Sequence, residues 1–299
     1  MSFKNSGHSH KNADPLDTNI ELNQLKKEND LLKEKNKALQ NQLEQLTKEQ
    51  IIYLQNVSHQ LVAPLNAIKW HIENLTAGRI HNLDRIKTVL RSIYSQATIS
   101  VHLAKNFALM SNLEADQTLS AQREPLELVN LHLLMVNLAN DFQPLGWGKK
   151  VHISVTDDPL EKAPPVLAIK NLISQVFSNI IDNAIKYSAE ETDVEIYGRH
   201  NPGDDTVLVY IASKGIPLPS TEIERIFNRG YRSEQAKNAN PPGTGFGMYI
   251  AKKIIDIHEG NITAFTGEHG SSVFEVTLSV KGLTGKAIQR AAKDNIDHR

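Results

Sequence analysis

Leucine recurs at every seventh residue in the first sixth of the chain, at Leu25, Leu32, Leu39 and Leu46, with Leu22, Asn29, Asn36, Leu43 and Gln50 at the companion positions. Leucine at d with asparagine at a is the pattern of a parallel two-stranded coiled coil, in which the asparagines lower stability but fix register and oligomer state. The stretch is also rich in Lys, Glu and Gln, as a single solvated helix would be, but four consecutive d-position leucines favour the coil. We therefore expect a coiled coil over 19–50, preceded by a polar, disordered tail over 1–18. The apolar stripe then continues at helical spacing through Tyr53, Leu54, Val57, Leu61, Leu65, Ile68 and Ile72. It breaks over residues 76–84 and resumes with Ile86, Leu90, Ile93, Ala97, Val101, Leu103, Phe107 and Met110. This predicts a helical hairpin over 51–118, and two hairpins in a dimer make a four-helix bundle. Pro64 removes a backbone donor and is expected to kink the first helix near His59.

The pattern changes after residue 120. An apolar-rich helix is expected over 126–142, followed by turn signals at Pro144, Gly146 and Gly148, and a strand over 151–155. A helix over 166–187 comes next, then strands near 193–199 and 206–212 joined through Asn201-Pro-Gly-Asp-Asp205. A further helix is expected over 245–259, and strands near 261–266 and 272–280 form a hairpin through Gly267-Glu-His-Gly270. Such an order gives an α+β chain whose C-terminal domain, 122–280, holds a mixed sheet with helices on one face. Residues 219–243 are poor in apolar side chains and rich in Asn, Pro and Gly, which suits a lid beside a binding site. A mildly basic tail follows over 281–299.

Composition narrows the classes. The formal net charge is −1, which argues against a general electrostatic grip on nucleic acid. There is no cysteine, hence no disulfide framework and no thiolate metal site. No apolar run reaches the ~18–20 residues of a membrane span, and the N-terminus lacks an apolar signal core, so a soluble cytoplasmic protein is expected. His8 and His10 in the tail are weak metal candidates.

The chemistry is concentrated in Asn179-Ile-Ile-Asp-Asn183-Ala-Ile-Lys186-Tyr187 and in Gly243-Thr244-Gly245-Phe246-Gly247. Two carboxamides at i and i+4 share a helix face. Their oxygens can ligate Mg²⁺, a hard cation that keeps several waters and takes other ligands from phosphates. Lys186 lies near the same face and can meet phosphate charge. The glycine segment opens the next helix, whose backbone N–H groups and positive end suit an anion. Together these describe a Mg-nucleotide site. An exposed imidazole such as His59 is unremarkable alone, but near such a site it can attack a γ-phosphoryl group.

Val57-Ser58-His59-Gln60-Leu61-Val62-Ala63-Pro64-Leu65 resembles the phosphoacceptor box of the sensor histidine kinases. The downstream motifs resemble that family's asparagine, phenylalanine and glycine boxes in order and spacing, over roughly residues 47–280. The resemblance implies a histidine-phosphotransfer and dimerisation bundle, then an ATP-binding α/β sandwich using ATP and Mg²⁺. It also implies a homodimer that passes phosphate to an aspartate on a response-regulator receiver domain. In it Asn179 and Asn183 hold the metal, Lys186, Tyr187, Ser213, Gly215 and the segment Gly243, Thr244, Gly245, Phe246, Gly247 belong to the nucleotide site, Phe227 anchors the lid and Arg229 contacts phosphate. Arg232 lies within reach of the phosphates as well.

Three departures from the family pattern involve four positions. Gln60 replaces the acidic residue that follows the phosphoacceptor and serves as general base. Ala63 stands where a polar side chain positions the water that dephosphorylates the partner, so phosphatase activity toward a phosphorylated regulator is expected to be weak or absent, and dephosphorylation well above the spontaneous rate would count against this. Ser213 replaces the aspartate that receives the adenine amino group, and Pro217 replaces a second glycine. A hydroxyl reaches the base less directly than a carboxylate, and one hydrogen bond is worth ~0.5–1.5 kcal/mol. Adenine specificity is therefore expected to be relaxed and affinity reduced, which titration with ATP and GTP tests; a strong preference for ATP would count against it. Three functions remain open: an ATP-dependent histidine kinase acting on His59, a dimeric phosphotransfer protein relaying phosphate between receivers, and a nucleotide-binding scaffold without catalysis.

Overall fold

The computed structural model describes residues 15–114, 125–156, 158–239 and 243–282. His8, His10 and most of the tail over 281–299 lie outside the described residues. Residues 15–18, expected in the N-terminal tail, are instead helical: helix α1 spans Pro15–Thr76. Proline suits a first helical turn because its missing N–H would have no partner there. The chain divides into two compact units, Met1–Gln55 and Asn56–Arg299. In the first, Leu25, Leu32, Leu39 and Leu46 are 62%, 54%, 54% and 52% exposed, an apolar seam that this unit leaves uncovered.

In the second unit α1 continues as helix through Pro64 to Thr76, and α2 spans Leu83–Glu114. Asn82 caps α2, its Oδ1 accepting from the backbone N–H of Asp84 at 2.8 Å and Arg85 at 3.2 Å. Ser92 Oγ and His71 Nε2, 2.9 Å apart, join the two helices. Leu65, Ile72, Leu90 and Val101 from the predicted stripes remain exposed within the chain. Among the described residues no helix is long and apolar enough to cross a membrane.

The helix expected over 126–142 needs correcting. Its start is strand β1, Glu127–Val129, and helix α3 spans Leu131–Gly146 with Pro144 inside it. The boundary is set by Asn130, whose side chain accepts from Leu133 N and so cannot be a helix-interior residue. Strand β2 is His152–Val155. The helix expected from residue 166 likewise begins later, because β3, Val166–Ala168, pairs antiparallel with β1, and α4 spans Lys170–Tyr187. In both places a three-residue strand beside a helix carries too short a pattern for its period to be read.

Strands β4 (Asp193–Asn201) and β5 (Thr206–Ser213) lead to the short helix α5 (Glu234–Asn238) and to α6 (Gly247–Ile257). Strands β6 (Asn261–Thr266) and β7 (Ser272–Ser279) close a five-stranded sheet of order β2-β4-β5-β7-β6. Only the β2–β4 pair of that sheet is parallel, so the sheet is mixed. Alternate residues Val194, Ile196, Val207, Val209, Ile211, Phe274, Val276 and Leu278 are buried, as one-sided packing requires. Helix α4 lies in the helical layer and is buried nearly all round, through Ile173, Val176, Phe177, Ile180 and Ile181. This burial makes it a rigid mount for the side chains it carries.

Lys149 closes the end of that mount. Its Nζ donates to the carbonyls of Lys186 at 2.6 Å, Ser188 at 3.2 Å and Ile185 at 3.4 Å. These carbonyls have no partner inside the helix, and a cation opposes the negative end of the helix dipole. Burial lowers the Lys149 pKa, with Glu190 opposing. Lys149→Met is expected to lower stability by about 2 kcal/mol, the scale of a charged hydrogen-bond cap that is partly solvent-screened. Urea denaturation would measure this, and an unchanged midpoint would show that water caps the helix equally well.

Candidate functional site

The two asparagines sit on α4 as their spacing predicts, but with different surroundings. Asn179 is only 2% exposed, and its Oδ1 accepts from Asn106 Nδ2 of α2 at 2.8 Å. Asn183, one turn on, is half-buried. Between them Asp182 accepts from Lys186 Nζ at 2.5 Å, with the lysine side chain 23% exposed. On the other side of Asp182, His102 Nε2 lies 3.7 Å away. Gln175 Nε2 donates to Asn106 Oδ1 at 2.9 Å and lies 3.2 Å from His102 Nδ1. Burial lowers the His102 pKa, with Asp182 opposing and Lys186 and Lys105 reinforcing, so the ring is neutral at pH 7.

Two cavities meet along α4. A small one of about 130 Å³ is lined by Gln60, Asn179, Asn183, Lys186, Tyr187, Ser213, Arg232, Gly243, Thr244, Gly245 and Gly247. Bundle residues His102, Leu103 and Asn106 line it too. A larger one of about 1620 Å³ is lined by His59, Gln60, Lys186, Tyr187 and Gly215, together with Trp147 and Lys149. Most of the residues singled out from the sequence therefore converge. Phe227, Arg229 and Phe246 line neither of these two cavities. Phe227 ends a 3-10 turn, Arg225–Phe227, and the Arg229 guanidinium lies over the Phe246 ring at 5.8 Å. Arg232 donates to the carbonyls of Ala236 at 3.0 Å and Gly243 at 3.4 Å, tying the lid segment to the glycine segment. That segment carries the short helix α5, capped by Ser233, whose Oγ accepts from Ala236 N at 3.0 Å.

Several features explain the glycines and Ser213. Gly245 has φ +76°, a left-handed conformation that favours glycine. Gly247 opens α6 directly against Asn179, whose Oδ1 would lie 3.3 Å from an added Cβ. Ser213 is buried at the end of β5, where it lines the small cavity. His59 is exposed on α1 and faces the larger cavity, while Gln60 lines both.

The donor set fits a magnesium ion only in part as it stands. Asn183 lines the cavity beside Lys186, and Asn179 Nδ2 is buried with no hydrogen-bond partner. Among the described residues no group of three or more His, Cys, Asp and Glu gathers to hold a metal. Magnesium suits such a sparse site because phosphate and water supply most of its ligands.

Sequence reading missed His102, Asn106, Gln175 and Lys149. His102 and Asn106 are four residues apart on α2 and so share a face. They sit beside Val101, Leu103 and Phe107, which were read as the apolar stripe. Asp182 was in view inside the asparagine motif, and the apolar residues around it, Ile180, Ile181, Ala184 and Ile185, were the available signal for a buried carboxylate.

Residues 168–282 match the family described as "Histidine kinase-, DNA gyrase B-, and HSP90-like ATPase". The sensor histidine kinase WalK of Bacillus subtilis is 26% identical over 238 residues, covering 80% of this chain and 38% of that protein. A sensor protein kinase WalK of Staphylococcus aureus is 27% identical over 243 residues, 79% of this chain and 55% of that protein. The chain thus spans less than two thirds of the length of these curated relatives. Full-length ShkA, solved in complex with AMPPNP, superposes with a TM-score of 0.51 at 19% identity, over 77% of this chain and 46% of that one, a likeness of fold. The small cavity is built from the asparagine helix and glycine segment that fall inside the matched region, so residues 168–282 form an ATPase domain of that family, and the chain as a whole is similar to sensor histidine kinases.

Proposed function

We propose that this chain is the kinase part of a two-component system: it phosphorylates His59 from Mg-ATP and passes the phosphoryl group to an aspartate of a receiver domain. The observation that carries this is the shared cavity, which His59 lines together with Lys186 and Tyr187 of the asparagine helix. Asn179 and Asn183 would hold Mg²⁺, which neutralises phosphate charge when bound. Lys186 and Arg232 meet phosphate oxygens from the cavity wall, with Arg229 approaching from the lid segment. The glycine segment supplies backbone donors at the start of α6. A ring nitrogen of His59 attacks the γ-phosphorus, the bond to the bridging oxygen breaks, ADP leaves, and the imidazole proton passes to water because Gln60 is no base. In the second step the N–P bond breaks as a receiver carboxylate takes the phosphoryl group.

The uncovered heptad leucines and the exposed stripes of α1 and α2 support a homodimer through coiled coil and bundle. The reading puts these residues in the cytoplasm, where ATP is available.

Incubation with γ-labelled ATP and Mg²⁺ tests the proposal. Acid-labile, alkali-stable label is expected on the parent chain and at background in His59→Ala and Asn183→Ala. Bound ATP without label, even with Gln60 replaced by glutamate, would favour the scaffold instead. Label obtained only from a phosphorylated receiver would favour the relay.

A further inference from the structure

We propose that helix α2 is a plug of the nucleotide site: Asn106 and His102 occupy groups on α4 that Mg-nucleotide needs, and they must leave before it binds. The inference rests on the nucleotide site proposed above. Its first support is the contact itself, Asn106 Nδ2 donating to Asn179 Oδ1 at 2.8 Å. This bond takes one of the two lone pairs with which the Asn179 carboxamide oxygen could meet a cation and its waters. The second support is volume. The cavity between the asparagine helix and the glycine segment measures about 130 Å³. Sites for molecules of nucleotide size occupy ~300–1,000 Å³. His102, Leu103 and Asn106 are part of its wall, so removing α2 enlarges that cavity on the side where Asn179 and Asp182 point.

The third support is the kind of contact. Gln175 braces Asn106 from α4, and His102 stands beside Asp182, which itself holds Lys186. The bundle therefore engages the metal-ligand candidate directly and the phosphate-binding lysine through its carboxylate. Asn179 Nδ2 is buried without a hydrogen-bond partner, so the contact satisfies only half of the carboxamide. A half-satisfied polar contact holds the helices together less firmly than a complete one, and a ligand with stronger demands on Asn179 can displace it. The affinity measured for nucleotide is then the intrinsic affinity reduced by the fraction of molecules with α2 withdrawn.

The test is calorimetric titration of the whole chain with Mg²⁺ and a non-hydrolysable ATP analogue, comparing the parent with Asn106→Ala and His102→Ala. Each variant is expected to bind about tenfold more tightly, as loss of one to two plug hydrogen bonds raises the withdrawn fraction. A second readout needs no variant to fold: in the parent, saturation with the analogue should increase hydrogen exchange over residues 102–110. Equal or weaker binding by both variants, with exchange over 102–110 unchanged by a nucleotide that does bind, overturns the plug and leaves the nucleotide site standing. No binding by parent or variants overturns the nucleotide site, and the plug with it.

Discussion

Gln60→Glu is expected to speed phosphorylation of His59 by about a hundredfold, the low end of what a positioned general base contributes. Gln60 follows the acceptor directly, is half-buried, and lines both the cavity that holds His59 and the one between the asparagine and glycine motifs. Glutamate has the same length and shape, so the change adds a proton acceptor without adding volume. With a carboxamide at this position the imidazole proton must leave to water, and the charge that builds on the ring during attack has no partner on its own helix. Initial rates of acid-labile labelling at equal ATP would check this. Equal rates would mean that proton removal does not limit the parent reaction, and a second acceptor would have to be sought among the groups facing the larger cavity.

Gly215→Ala is expected to destabilise the C-terminal domain by about 3 kcal/mol, the upper part of the range for overpacking. An added Cβ would lie 2.0 Å from Tyr187 O, with Ser188 Cα and Ala189 N both at 2.8 Å. All three are backbone atoms at the end of α4, and backbone yields less than a side chain would. The loop is also stitched in place, Ile216 N donating to Tyr187 O at 3.0 Å and Ala189 N to Lys214 O at 2.9 Å. Relieving the clash therefore means breaking these bonds and shifting Ser213 and Tyr187, two walls of the small cavity. Loss of nucleotide affinity should accompany the loss of stability. Urea denaturation with parallel titration would measure both, and an unchanged midpoint would contradict the tight approach.

Much of the architecture was legible because its patterns are long. The four heptad leucines, the two helical stripes and the β4, β5, β6 and β7 alternation each extend over enough residues to declare a period. The strands β1 and β3 were not legible. Three residues show no alternation, and their pairing with each other joins positions some forty apart in sequence. Within the site, the residues that converge are those whose chemistry is carried by local spacing, such as Asn179, Asn183 and Lys186 on one helix, and the glycines that open the next. Asn106 and His102 were hidden because what they touch lies on another helix, and nothing in their own neighbourhood distinguishes them from surface polar residues. Arg229 and Phe227 were found by position in a motif, and the placement of the Arg229 guanidinium over the Phe246 ring is set by a contact that spacing does not encode.

The α2–α4 contact has a consequence for the ionic environment. Its members are carboxamides, one neutral imidazole and one carboxylate, with Gln175, Asn179, His102 and Asp182 all buried. Mobile ions screen exposed pairs such as Lys150–Glu191, whose side chains are 74% and 67% exposed, but reach buried groups far less. Changes in salinity will therefore reshuffle the surface charges of this domain while leaving the grip between bundle and ATP-binding helix close to constant.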